Sequence, residues 1–336
     1  MGERAMPASE LAPRGLWSLA RDLRNPEFVA FQDRFPIYGR TFRRVAAHSA
    51  ALAVSAYSVY LRHRGALGPI AAEVLGPVER HGPADFVERY VARVGHLQRM
   101  QRAFEADPCS ATLSGDRAPV DRATYDVTLA MSSIFTAHRF EIRKQLCDFV
   151  GWLRRPAGRI GSIGMGTGDE LRIAARALPG WDIEGYDSDP RTHASVERLL
   201  ADAGSGGRVR LGSHLPLDRP DASLRGAYDA LILCELLEHL EAPLDALRCV
   251  RAYLRPGGAA FVTMAVNLAQ EDHVYLYRDL AACRDQLRGA GLARLFEWVS
   301  PAEVLPADTQ PDREREFRSG NYVAVVVRDS AEGIDS

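Results

Sequence analysis

Lysine is almost missing from this chain: Lys144 is the single one among 42 cationic residues, and the rest are arginine. Against them stand 44 acidic residues, for a formal net charge of -2. That balance leaves no global basic field for a nucleic-acid or membrane surface. The arginine bias runs through the chain with alanine and glycine, as expected of a high-GC bacterial genome. Nearby Asp and Glu make most of it solvated surface. Cysteine is also scarce. Cys109, Cys147, Cys234, Cys249 and Cys283 are odd in number, widely spaced and without a Cys-x-x-Cys pair. This excludes a disulfide framework and fits a reduced, cytoplasmic setting. Long apolar runs are absent too. The most hydrophobic early stretch, Val45 to Leu61, is rich in Ala and Ser and contains His48, so it reads as a buried helix, not a membrane span. The opening MGERAMPASE lacks the charged-then-apolar order of a signal peptide.

What is present suffices for a full core: 336 residues, 46% of them hydrophobic, enough for one large or two modest domains. The texture changes near residue 150. Residues 1–150 read as helices separated by Pro and Gly signals, with candidates at Leu16–Leu23, Thr41–Leu61, Ala84–Phe104 and Arg122–Leu153. A polar break near Asp107–Pro119 divides them. From Gly158, strand-length apolar runs alternate with helical stretches, the mark of an α/β fold with a mostly parallel sheet. Strands are expected at Arg159–Gly164, Asp182–Asp187, Arg208–Gly212, Tyr228–Cys234 and Ala259–Val266. Leu295–Val299 and Asn321–Val327 should close the sheet as an antiparallel pair. The domains are thus 1–150, 151–329 and a frayed tail at 330–336.

The strongest local signal is Gly164-x-Gly166-x-Gly168, where a strand ends and a helix begins. Glycine permits the tight turn and close backbone approach to a ligand. A dinucleotide fingerprint would place its third glycine one residue later, where this chain has Asp169, which disfavours an NAD-dependent oxidoreductase. Asp187 closes the next strand, nineteen residues after Gly168, where a carboxylate suits two ribose hydroxyls. Here residues 151 to 327 resemble the class I S-adenosylmethionine-dependent methyltransferases, a Rossmann-like fold. The resemblance implies S-adenosyl-L-methionine as cofactor. It puts Gly164, Gly166 and Gly168 along its methionine portion, Asp187 and Ser188 at the ribose, and Ser213 and His214 near the adenine. Ser213 departs from the acidic residue common in the family at that place.

After the fourth strand comes Cys234-Glu235-Leu-Leu-Glu238-His239, and after the fifth comes Asn267 through His273. In such sheets both loops reach the mouth beyond the carboxyl ends of the strands. One helical turn could converge Glu235, Glu238 and His239, and adding His273 gives two carboxylates and two imidazoles, a set that suits Mg, Mn, Fe or Zn. The motif resembles the Glu-x-x-Glu-His of ubiquinone-pathway O-methyltransferases and of small-RNA 2′-O-methyltransferases. In both, the resemblance implies a metal bound to adjacent oxygens of a diol or catechol, with Glu235 also at the cofactor. Against this stands the metal-free reading, in which Glu-His packs near the cofactor and His239 or His273 acts as general base.

Arg255-Pro-Gly-Gly reads as a structural turn, and Asp169 with Glu170 as acids opening a helix. His138, Arg139 and Arg143 read as helix-pairing or surface residues, with an Arg against the methionine carboxylate as the alternative. Tyr275 and Tyr277 line an acceptor pocket or pack under a helix. His48, His63, His81, His96 and His193 receive no role. The helical half is expected as a lid first, with homodimerisation or docking of a carrier protein or peptide as alternatives. The expected activity is O-methylation of a small-molecule hydroxyl in bacterial specialised or quinone-like metabolism. Competing readings are RNA 2′-O-methylation, disfavoured by the lack of basic clusters, metal-free N-, C- or carboxyl methylation, and a catalytically silent partner subunit.

Overall fold

The computed structural model describes residues 25–107, 121–153, 155–302 and 317–329. The expected helix Leu16–Leu23, Cys109 and the tail after Asp329 lie outside the described residues. The chain forms two compact units. Among the described residues, the first holds 25–95 and 123–140, and the second holds 96–107, 121–122, 141–153, 155–302 and 317–329. Stretches 96–107 and 141–150, read from the sequence with the helical half, thus cluster with the second unit.

The first unit is helical: α1 (Pro26–Arg34), α2 (Pro36–His48), α3 (Ala50–His81), the start of α4 (Phe86–Ala106), α5 (Arg122–Phe135) and the start of α6 (Ala137–Trp152). Proline opens α1 and α2, where its missing N–H costs nothing. The single helix expected over Thr41–Leu61 is two. Ser49 adopts extended backbone (φ −151°), and its hydroxyl accepts from Leu52 N at 3.3 Å, capping a new helix. That helix then runs past the expected end, through a kink at His63 and through Pro69 and Pro77. Its buried Leu67, Ala71, Val74, Leu75 and Val78 recur at helical spacing, and packing overrides the breakers. Aromatic rings fill this core, with Phe28 edge-on to Phe42 and to Tyr57, 5.0 Å between centroids in each case.

The second unit is a seven-stranded sheet in the order β3-β2-β1-β4-β5-β7-β6. Its strands are β1 (Gly158–Ile163), β2 (Trp181–Tyr186), β3 (Val209–Gly212), β4 (Tyr228–Leu233), β5 (Leu254–Val266), β6 (Ala293–Pro301) and β7 (Gly320–Val327). Strands β1 to β5 pair in parallel, and β7 is antiparallel to both β5 and β6, as the sequence leads one to expect. Helices α7 (Asp169–Ala177), α8 (Pro190–Asp202), α9 (Pro243–Tyr253) and α10 (Leu280–Gly289) complete the unit. Strand side chains alternate between two cores. Leu231 and Leu233 of β4 join Leu247 and Val250 of α9, while Ala230 and Ile232 join Ile160, Leu171 and Phe261. Covered on both faces, the strands read as continuous apolar runs.

One charge is built into this sheet. Glu184 of β2, only 4% exposed, accepts from Arg159 at 3.0 Å, Tyr228 at 2.7 Å, Tyr186 at 2.8 Å and Arg210 at 3.2 Å. Burial would raise its carboxyl, but these donors outweigh it and hold it at about 2. Chain order reverses between β1 and β4, which opens a crevice at the carboxyl ends of those strands. No helix among the described residues is long and apolar enough to cross a membrane.

Candidate cofactor and acceptor site

The turn leaving β1 bends through three left-handed glycines, Gly164 (φ 71°), Gly166 (φ 50°) and Gly168 (φ 80°). Space enforces glycine as well as backbone angle. A Cβ on Gly164 would lie 2.9 Å from Leu236 Cδ1, and one on Gly168 would lie 2.8 Å from Val196 Cγ1. The turn is tied to the neighbouring strand end: Gly164 N and Met165 N both donate to Tyr186 O, at 2.8 and 3.1 Å. Asp187, half-buried, accepts from Gly166 N at 3.2 Å through one oxygen and from Asp189 N at 2.9 Å through the other. A carboxylate has about four lone-pair sites, so acceptor capacity remains for ligand hydroxyls. Ser188, Ser213 and His214 are exposed just past the ends of β2 and β3.

Beyond β4 the chain turns at Glu235 in left-handed backbone (φ 55°). Thr263 of β5 locks this turn: its hydroxyl accepts from Glu235 N and donates to Glu235 Oε1, both at 2.7 Å, and Asn321 Nδ2 donates to the same oxygen at 2.7 Å. Then Leu237–His239 forms one short helical turn. It brings together Glu238, His239 and His273, each offering a ligand atom within 4.8 Å of the others. Glu235, expected in the same ligand set, is not in this group; its carboxylate is held by Thr263 and Asn321.

Both imidazoles are fixed by main chain. His239 Nδ1 lies 2.9 Å from Asp272 O, and His273 Nδ1 lies 2.9 Å from Leu268 O. A carbonyl only accepts, so each neutral ring carries its proton on Nδ1 and keeps a lone pair on Nε2. The rings meet edge to face, centroids 5.0 Å apart. Glu238 is fully buried, and its carbonyl accepts from Val274 N and Tyr275 N, stitching this turn to the loop that carries His273. Burial, reinforced by the neighbouring His239 imidazole, pushes the His273 imidazole well below its usual value, which favours its neutral form.

Residues 162–260 match a family model described as a methyltransferase domain. The second unit is a class I, S-adenosylmethionine-dependent methyltransferase domain. Among curated proteins, the ubiquinone biosynthesis O-methyltransferase of Bordetella pertussis is 28% identical over 115 residues, 33% of this chain and 46% of that protein. The chain thus spans about half the length of this relative. The enzyme of the same name from Xanthomonas campestris pv. campestris (strain B100) is 27% identical over 198 residues, 52% of this chain and 77% of that one. Among solved structures, geranyl diphosphate C-methyltransferase from Streptomyces coelicolor A3(2) is 14% identical, with a TM-score of 0.46, covering 65% of this chain and 88% of its own.

Several residues that support this methyltransferase site escaped the sequence reading. Arg122 donates to Gly166 O at 2.8 Å and to Thr192 Oγ1 at 2.7 Å, gripping the glycine turn from outside the sheet. Gln101 brackets the loop after β5, donating to Asn267 O at 2.9 Å and accepting from Ala269 N at 3.0 Å, and His96 pairs with Glu271 on that loop. Arg143, read from the sequence as helix-pairing or surface, is buried and pairs with Asp169 at 2.7 Å. Burial would raise Asp169, but the Arg143 and Arg172 guanidiniums outweigh it and hold it at about 2. Tyr277 is buried and donates to Gln286 at 2.8 Å, which assigns it to packing. Thr263 and Asn321 had a weak signal, as polar residues inside otherwise apolar strands. Gln101 and Arg122 had none.

Proposed function

We propose that this protein transfers a methyl group from S-adenosylmethionine to a hydroxyl of a small-molecule acceptor, with a divalent cation held by Glu238, His239 and His273. The observation that carries this reading is that both imidazoles beside the buried Glu238 carboxylate have Nδ1 on a backbone carbonyl. This is the outer-shell arrangement that fixes a ligating histidine's tautomer. A carboxylate with two neutral imidazoles suits Mn, Fe or Zn better than Mg. A cation bound there would lower the pKa of a coordinated hydroxyl and orient its oxygen.

The chain's own residues supply the rest. Gly164, Gly166 and Gly168 let the backbone approach the methionine portion, Asp187 and Ser188 accept the ribose hydroxyls, and Ser213 and His214 flank the adenine. When bound, S-adenosylmethionine supplies the electrophile: the acceptor oxygen bonds to the methyl carbon as the carbon–sulfur bond breaks, and that electron pair stays on sulfur. With the cation in place the hydroxyl proton leaves to solvent, because the Nε2 lone pair of His239 is then a ligand and not a base.

The test is elemental analysis of protein incubated with Mn, Fe or Zn and S-adenosylhomocysteine, beside a H239A/H273A variant. Methyl transfer to catechol is followed in parallel. About one ion per chain in the wild type, with affinity at least ~10-fold weaker in the variant, is expected. No ion in either protein would overturn the cation and leave His239 and His273 as bases. Calorimetric binding of NAD in place of the adenosyl cofactor would overturn the methyltransferase reading altogether.

A further inference from the structure

We propose that a pocket at the carboxyl end of β5 binds the oxyanion group of an apolar-bodied acceptor, with Arg278 and Arg318 as its anion-binding residues. As a statement about the acceptor this rests on the methyl-transfer reading above; as a statement about binding it does not.

The pocket has a volume of about 640 Å³, a size that suits a small molecule. Phe104, Phe317, Leu280 and Val266 supply apolar wall, and Arg278, Arg284 and Arg318 supply charge. Its position ties it to the methyl-transfer mouth. Val266 ends β5, and Ser319 immediately precedes β7, two residues before the Asn321 that holds Glu235. Asn267 and Arg278 flank the loop that carries His273, and Asn267 N donates to Tyr277 O at 2.7 Å across its base.

The wall is held together by hydrogen bonds between segments distant in sequence. Asn267 takes a left-handed conformation (φ 54°), which Asn tolerates better than most residues. From there its Nδ2 donates to Arg318 O at 3.1 Å, and its own carbonyl accepts from Gln101. Three segments distant in sequence are thereby fixed around one cavity.

The charges are unequally committed. Asp279 spends its carboxylate capping α10 at Ala282 N, 2.8 Å, and Glu105 accepts from Gln101 Nε2 at 2.9 Å. Arg284 pairs with Glu297 at 2.7 Å. Arg278 and Arg318 are both exposed, and their guanidiniums make no hydrogen bond or ion pair among the described residues. A planar guanidinium offers parallel N–H donors that match a carboxylate or a phosphate. Two of them beside a phenylalanine-walled cavity select an anion carried on an apolar or aromatic body.

The experiment titrates the full chain, loaded with S-adenosylhomocysteine, with benzoate, phenyl phosphate and the neutral benzamide, read by calorimetry. One of the two anions should bind at least ~10-fold tighter than benzamide, and which of them leads distinguishes carboxylate from phosphate. In R278Q/R318Q that preference should fall towards 1, while affinity for S-adenosylhomocysteine, the check on folding, stays unchanged. Equal affinity for benzamide, or an anion preference that survives in R278Q/R318Q, would overturn the subsite. A separate arm compares methyl transfer to 3,4-dihydroxybenzoate and to catechol. Anion binding without transfer to either would sink the methyl-transfer reading and leave the subsite standing.

Discussion

Glu184 and Glu238 are both carboxylates buried in the same domain, and they have opposite surroundings. Glu184 is ringed by fixed cations and hydroxyls, with Arg159, Arg210, Tyr228 and Tyr186 all donating to it. Glu238 sits with two imidazoles whose Nδ1 protons point away to carbonyls. The first carboxylate is neutralised from within the chain and ties β2 to β1, β3 and β4. The second is grouped with lone pairs, a concentration of donors that a positive ion would complete. On the reading proposed above, Glu238 would serve as a ligand where Glu184 serves as a strut, because the neighbours of one offer lone pairs and those of the other offer protons.

The contrast can be broken most strongly at Glu184. Glu184→Gln should cost about 3 kcal/mol at pH 7, read by urea unfolding, because it removes the buried negative charge that accepts from Arg159, Arg210, Tyr228 and Tyr186. The pH dependence follows from the depressed carboxyl, at about 2 when folded and about 4.3 when unfolded. Its stabilisation is complete above the unfolded value and is lost as pH falls through 4 towards 2. The variant should therefore show a flatter acid limb, and an unchanged limb would contradict the strut. At Glu238 the expectation reverses. Addition of Mn or Zn at ~100 times Kd should stabilise the wild type by about 2.7 kcal/mol, and Glu238→Gln should abolish that gain. An equal gain in both would show that the ion binds elsewhere. The smallest effect sharpens the strut: Tyr228→Phe, which removes one hydroxyl from Glu184, should cost about 1 kcal/mol in the same unfolding assay.

The parts of this molecule that can be read from sequence are those encoded locally. The Gly164-x-Gly166-x-Gly168 turn declares itself because left-handed backbone and a crowded Cβ both demand glycine at residues near each other in the chain. Asp187 is placed at its strand end by strand period and by its distance from Gly168, and its expected role comes from the family resemblance. The antiparallel pairing of β7 is legible because no crossover helix could be found before it. Where sequence reading fell short, the deciding partner was distant or the packing overruled propensity. Gln101 meets a loop 168 residues away, and Asn321 reaches Glu235 across 86. Glu235 has the spacing of a ligand, but Thr263, 28 residues on in a strand of its own, turns it aside. In α3, apolar periodicity carried the helix through two prolines that read as stops.

The opposite run of β7 has a consequence for how the protein is made. Among the described residues, the outer edge of strand β5 is covered by residues 320–327, which slot between it and the earlier β6. During synthesis the sheet therefore waits with two incomplete edges until this late segment leaves the ribosome. Asn321, the residue that secures Glu235 at the mouth, arrives with it. The glycine turn and Asp187 are complete more than a hundred residues earlier. A nascent chain can thus shape its cofactor-side turn well before it can finish its acceptor side.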